Sequence, residues 1–351
     1  MYRNKNIKRT ELSDLGEFGL IKRLTENLEI FNSSTLKGVG DDASVISNNG
    51  GEFLVSTDLL IEGIHFDLAY TPLKHLGYKA AVINFSDIAA MNAIPEQITV
   101  SIALSNRFSL EAVEELYEGI KLACNKYKVD LVGGDTSSSI SGLFISITVI
   151  GRAKKEDITY RSGANINDLV LVSGDLGAAY FGLLLLKREK QVYQANPKIQ
   201  PELVGYDYIL QRQLKPEART DIVKLLKEID VKPTSMIDIS DGLASEVLHI
   251  CDASTKGVCI YEDKISINPE TIKIADEFNI DPTLGALSGG EDYELLFTVS
   301  QKDFEKVKDQ TDITIIGHIT DASEGVNLIS RSGSAVPITA QGWDAFMKNK
   351  G

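Results

Sequence analysis

This 351-residue sequence predicts an α+β protein of two mixed α/β domains, the first a sheet with helices on one face. Three observations lead there. The chain is longer than the size at which one hydrophobic core keeps growing. Strand-like and helix-like apolar patterns alternate through both halves. Between them GRAKKEDITYRSGANIND, starting at residue 151, loses periodicity and gathers charge, Gly and Asn, the composition of a connection. The domains are therefore placed at residues 1–152 and 153–351.

The elements follow in order. A helix is expected around GEFGLIKRLTENL, then a strand at EFLVST, a helix at TPLKHLGYKAAVINFSDIAAM and a strand at QITVSIAL. SLEAVEELYEGIKLACNKYK has the spacing of an amphipathic helix, and VDLVGGD and LFISITVIG read as two more strands. Beyond the connection, DLVLVSG, TSMIDIS, GVCIYEDKI, DYELLFTVS and DITIIGHI read as strands. LGAAYFGLLLLKR, PEARTDIVKLLKEI and LASEVLHICDAS read as helices. No repeat of solenoid period occurs.

Composition narrows the function. Fifty acidic against 36 basic residues, a formal net charge of -14, argue against nucleic acid or an anionic membrane as partner. Cys124, Cys251 and Cys259 are odd in number and lack C-x-x-C spacing, so they read as core thiols in a reducing cytosol. The basic start MYRNKNIKRT runs into ELSDLGEF rather than an apolar stretch, and no later run is long enough to span a bilayer. A soluble cytoplasmic protein is expected. The four histidines show no HExxH pairing.

Five acidic clusters each follow or interrupt an apolar run: GDD at Asp41 and Asp42, STD at Asp58, SD at Asp87, GGDT at Asp135, and IDISD at Asp238 and Asp241. Charge emerging from buried elements costs free energy unless it is paired or bound to metal. Ion pairing with chain-distant Lys or Arg accounts for any one cluster equally well. Five together, with Ser56, Thr57, Ser86, Thr136 and Ser240 beside them, offer the all-oxygen environment that Mg²⁺ accepts along with substrate phosphates. The residues thus read as a site of several Mg²⁺ ions holding a polyphosphate. Neither a P-loop nor a dinucleotide-binding G-x-G-x-x-G is present. SGDLGAAYFG does run from strand into helix, where free N–H groups could meet phosphate, but such turns are mostly plain connections.

GEFGLIKRL, VGDDASV, STDLLIEGIHF, INFSDIAAMNA, LVGGDT, TYRSGA, IDISDGL, LSGGEDYELLF and QGWDAF, in this order, resemble the thiamine-monophosphate kinases of the aminoimidazole-ribonucleotide synthetase-like superfamily. The match covers nearly the whole chain, and SGGEDYELLF with TDLLIEGIHF is its most specific part. The resemblance implies a two-domain fold, a homodimer formed through the N-terminal sheet, and transfer of the ATP γ-phosphoryl group to thiamine monophosphate. By the same resemblance Asp42, Ser56, Thr57, Asp58, Asp87, Asp135, Asp238 and Asp241 hold Mg²⁺. Tyr117, Gly134, Arg161 and Ser240 contact ATP, and His65, Glu291 and Trp343 contact the substrate. One departure is Asn92, where the family usually shows Gly; Asn tolerates a left-handed backbone better than other non-Gly residues.

Single residues have plainer readings too. His65 could be a strand-end histidine satisfied by backbone, Trp343 an anchor for the C-terminal segment, and Arg161 a surface charge, although a planar fork suits phosphate. Two rival functions remain. Another ATP-using enzyme of the superfamily, such as selenophosphate synthetase or the hydrogenase-maturation dehydratase, would show a reactive cysteine near the start or a C-terminal cysteine, and this chain ends WDAFMKNKG. A non-catalytic binder of thiamine phosphates or nucleotide would have no need of so complete a set of acids.

Overall fold

A computed structural model describes residue 31 and residues 35–37, 40–48 and 51–339. The helix expected around GEFGLIKRLTENL and Trp343 lie outside the described residues.

The first sheet has six strands, β1 (Thr35–Lys37), β2 (Ser44–Asn48), β3 (Gly51–Ile61), β4 (Ile94–Leu104), β5 (Asp130–Ser138) and β6 (Leu143–Ala153), in the order β1-β2-β3-β6-β4-β5. All neighbours are antiparallel except β4 and β5. That parallel pair needs a crossover, which α2 (Leu110–Tyr127) supplies. Along β6 burial alternates with period two, so one face of the sheet packs on helices and the other does not.

The covering helix is α1 (Leu73–Ala90), and 14 of its 18 residues are buried. A helix apolar all round belongs in the interior rather than at a surface. Its flank meets α2 at two glycines. A Cβ on Gly77 would sit 1.9 Å from the Leu116 carbonyl oxygen, and one on Gly119 1.9 Å from that of Lys74. Backbone therefore touches backbone, which fixes the depth of α1. The end of α1 turns through Asn92 at φ 57, with Asn92 N donating to Ala89 O at 2.9 Å. The Asn92 side chain also donates to Asp157 O at 2.9 Å, a tie to the connecting segment that glycine could not make.

After β6 the chain carries no helix or strand until β7 (Leu169–Ser173). The second sheet adds β8 (Ser235–Asp238), β9 (Gly257–Tyr261), β10 (Leu295–Val299), β11 (Ile313–Thr320), β12 (Val326–Ile329) and β13 (Ala335–Pro337), in the order β13-β12-β9-β11-β7-β10-β8. The helices are α3 (Ala178–Ala195), α4 (Asp207–Leu214), α5 (Thr220–Glu228), α6 (Leu243–Ser254), α7 (Pro269–Phe278), α8 (Pro282–Ser288) and the single-turn α9 (Phe304–Val307). Each sheet has its own core, and Ala89 and Ala90 of α1 enter a third cluster with Leu171, Met236 and Phe297 of the second sheet. Helix α1 is thus shared by both halves.

Cys124 and Cys251 are buried and Cys259 is half-buried, all free thiols. Burial pushes the first two up to about 11 and about 12. Among the described residues no helix is long and apolar enough to cross a membrane.

Candidate active site

Three of the acidic clusters converge from elements of both halves of the chain. Asp42 lies in the bend at residues 40–43 before β2, Asp87 in the last turn of α1, and Asp238 at the end of β8. Carboxylate oxygens of these three lie within 4.8 Å of one another. An acid in the last turn of a helix opposes the macrodipole, and no base in that turn of α1 compensates it. The placement costs stability, so the fold does not require it.

Each carboxylate is aimed by a neighbour. Ser56 Oγ donates to Asp87 Oδ2 at 2.6 Å, and Ser86 Oγ to Asp238 Oδ2 at 2.6 Å. Arg161 grips Asp42 with both forks, Nε to Oδ2 and Nη2 to Oδ1, each at 2.9 Å. Asp41 is turned inward, accepting from Asp42 N and Arg161 N at 3.2 Å, so the Asp-Asp pair is split between bracing the bend and facing the cluster. Asp58 lies on the same strand face as Ser56, and its N–H donates to Asn84 Oδ1 at 3.2 Å.

One guanidinium cannot balance this charge. Burial, then Asp58 and Asp238, push the Asp87 carboxyl well above its ordinary range. Burial and then Asp42 push Asp238 up to about 8, and burial pushes Asp58 up to about 6. Glu246, which accepts from Asp241 N at 2.8 Å, is raised by burial and then by Asp241. Burial works against the Arg161 charge, but Asp42, Asp41 and Asp238 together outweigh it and raise its pKa. A buried all-oxygen set of this kind, short of positive charge, fits a hard divalent cation.

The remaining candidates sit as follows. Thr57 faces the opposite side of β3, its Oγ1 donating to Ile147 O at 3.0 Å. Gly134 and Asp135 are on β5, opposite Val100 and Ser101 of β4, and a Cβ on Gly134 would meet Val100 O at 1.9 Å. Strands β6 and β4 lie between β5 and β3, a spacing of about 14 Å across the sheet. Tyr117, on α2, packs half-buried against the first core. Gly134 and Asp135 thus lie apart from the Asp42–Asp87–Asp238 cluster.

Ser240 and Asp241 follow β8 and meet the SGGEDYE segment. Ser240 O accepts from Glu291 N at 2.7 Å, and Ile239 O from Tyr293 N at 2.9 Å. Glu291 has φ 69, a left-handed backbone, and a Cβ on Gly290 would lie 2.4 Å from Ser240 O. The bend leaves the Glu291 carboxylate between Lys79 and Gln213, beside a small pocket lined by Leu60, His65, Phe66 and Tyr70. His65 Nδ1 accepts from Ile61 N at 3.0 Å. The SGDLG turn is not open to phosphate: Asp292 accepts from Gly177 N and Ala179 N at the start of α3, at 2.7 and 3.3 Å.

Comparison with known proteins places this arrangement. Residues 40–153 match the family described as AIR synthase related protein, N-terminal domain. Over 338 residues the chain is 34% identical to thiamine-monophosphate kinase of Bacillus subtilis (strain 168), covering 95% of this chain and 100% of that protein. The chain belongs to the thiamine-monophosphate kinase family. A relative in Methanocaldococcus jannaschii is 33% identical over 84% of this chain and 89% of its own length. The solved structure described as AaThiL complexed with AMPPCP and TMP superposes with a TM-score of 0.83 at 32% identity, covering 97% of this chain and 100% of the other. Hydrogenase maturation protein HypE in complex with ATP shares the fold, with a TM-score of 0.67 at 18% identity.

Of the acids singled out in the sequence, Asp42, Asp87 and Asp238 meet, while Asn84, Glu246, Lys79 and Gln213, which hold Asp58, Asp241 and Glu291, were not singled out. The available signal was polar residues inside otherwise buried helices. Lys79 and Asn84 interrupt α1, and Glu246 is 2% exposed in the first turn of α6.

Proposed function

We propose that the chain transfers the γ-phosphoryl group of ATP to thiamine monophosphate, giving thiamine diphosphate. The observation that carries this reading is the convergence of Asp42, Asp87 and Asp238 within 4.8 Å, from a bend, a helix end and a strand end. Asp42, Ser56, Asp58, Asp87, Asp238 and Asp241 are the residues that would hold Mg²⁺ at this cluster, and Thr57, on the other face of β3, with Asp135, on β5, would hold a separate ion. Bound there, Mg²⁺ would supply the positive charge that lets two phosphate anions approach.

The chain's own groups bind and align. Arg161, with Tyr117, Gly134 and Ser240, serves ATP, and its guanidinium is already oriented by Asp42. His65, Glu291 and Trp343 serve the thiamine rings. Because His65 Nδ1 accepts from a backbone N–H, the neutral ring carries its proton on Nε2 and acts there as a donor. In that state Nε2 neither removes a proton nor attacks phosphorus. No base is needed, since the acceptor phosphate is ionised at neutral pH and its own oxygen is the nucleophile.

The test is a competition in which equal thiamine and thiamine monophosphate are supplied with ATP and Mg²⁺ and the products are separated. Thiamine diphosphate from the monophosphate is expected, with thiamine itself converted at about one hundredth of that rate or less for want of a base. Comparable conversion of thiamine would sink the phosphate-acceptor reading.

The same reading includes the division at residues 152 and 153, a cytoplasmic location and a homodimer. Leu59 and Val132 are 52% and 59% exposed, and every residue of β5 is exposed, which supports pairing through the first sheet. Light scattering should give twice the chain mass for the native protein and a monomer for Val132→Glu. A monomeric native protein would exclude this assembly.

A further inference from the structure

Lys79 has no part in the function just described, yet the fold goes to some lengths to hold it. It is 7% exposed in a helix of apolar character, where an unpaired ammonium is costly. Its Nζ lies 2.8 Å from Glu291 Oε1 and donates to Gln213 O at 3.0 Å. Gln213 Nε2 donates to Glu291 Oε2 at 2.8 Å. One carboxylate is therefore gripped by both oxygens, from α1 on one side and the end of α4 on the other.

We propose that Lys79 is a positioning residue for substrate recognition, which together with Gln213 holds the Glu291 carboxylate turned toward the pocket of His65 and Tyr70. The inference rests on the reading of Glu291 as a substrate contact. It has a consequence for ligand class. Lys79 already offsets the Glu291 charge, so the carboxylate selects by the lone pairs it has left, which accept N–H or O–H donors. Phosphate esters whose distal end carries a hydrogen-bond donor are favoured over those that offer only a fixed positive charge.

Steady-state kinetics of Lys79→Met, Lys79→Arg, Glu291→Gln and the double variant Lys79→Met/Glu291→Gln test this. Lys79→Met is expected to raise KM for thiamine monophosphate about tenfold or more, with kcat and the KM for ATP moving less than about threefold. Lys79→Arg, which keeps charge and donors, should recover most of the loss. Since Lys79 acts through Glu291, the double variant should have the KM of Glu291→Gln alone. That double variant removes both charges of the pair and keeps the test open should Lys79→Met alone fail to fold. Additive effects in the double variant would overturn the proposal, because Lys79 would then act independently. A fall in kcat at unchanged KM would overturn it too, placing Lys79 at the transferring group. An unaltered KM in Glu291→Gln would sink the substrate-contact reading itself, a failure distinguishable from that of Lys79.

Discussion

Asp238→Asn is expected to lower turnover about a thousandfold or more while leaving the fold intact. The amide still accepts from Ser86 Oγ, so the geometry at the end of β8 survives. What is lost is one of the three charges, with Asp42 and Asp87, on which the proposed cation site depends. Removing one of three converging carboxylates also relieves their mutual repulsion, so the metal-free variant should be the more stable protein above neutral pH. Activity and stability therefore move in opposite directions, which an ordinary core defect does not produce. Initial rates at saturating Mg²⁺ and thermal unfolding in chelator decide it. Retention of more than about a tenth of the native rate would remove Asp238 from the metal set.

The second large effect is on stability as a function of pH. Burial and Asp42 raise Asp238 from 3.8 to about 8 in the folded chain, and Asp58 rises to about 6. Between those limits the folded state keeps protons that the unfolded state has released. Stability therefore falls as pH rises, by about 1.4 kcal/mol per pH unit for each such group. The contribution is complete below about pH 4, is lost progressively through about pH 6 for Asp58 and pH 8 for Asp238, and then levels off. In chelator the melting temperature should drop by about 5 °C or more between pH 5 and pH 8. Mg²⁺ added at pH 8 should restore it, because a ligand of the ionised cluster stabilises only the folded chain. Asp238→Asn should show a flatter profile. A melting temperature that rises through this range in chelator would mean that internal ion pairs, rather than missing cations, balance the acids.

Much of the architecture was legible because long segments carry clean periods. α1, α2, β3 and β6 lie where their apolar spacing puts them, and of the acids that end or interrupt apolar runs Asp42, Asp87 and Asp238 meet, whereas Asp135 lies apart on β5. The helices α4, α7 and α8 are too short, at 7 to 10 residues, for a period to stand out. Yet Asn268 and Asp281, each followed by Pro, cap α7 and α8 through their side chains and mark both starts. β1, β2, β12 and β13 are strands of three to five residues whose pairing is set by their neighbours rather than by their own pattern. Within the site, strand alternation already separates Ser56 and Asp58 from Thr57. What no local pattern contains is a partner 119 or more residues away: Arg161 on Asp42, Ser86 on Asp238, Lys79 on Glu291.

Helix α1 also works as a gauge of length. Lys79, at one end of the site, and Asp87, at the other, are eight residues apart on a single rigid rod, about 12 Å along its axis. Because Gly77 and Gly119 seat that rod against its neighbour backbone to backbone, it cannot slide without breaking the contact. The separation between the Glu291 carboxylate, which Lys79 grips, and the Asp42–Asp87–Asp238 cluster is thereby built in. A phosphate ester whose two ends are spaced too closely or too widely would leave one of them unserved, whatever the chemistry of its parts.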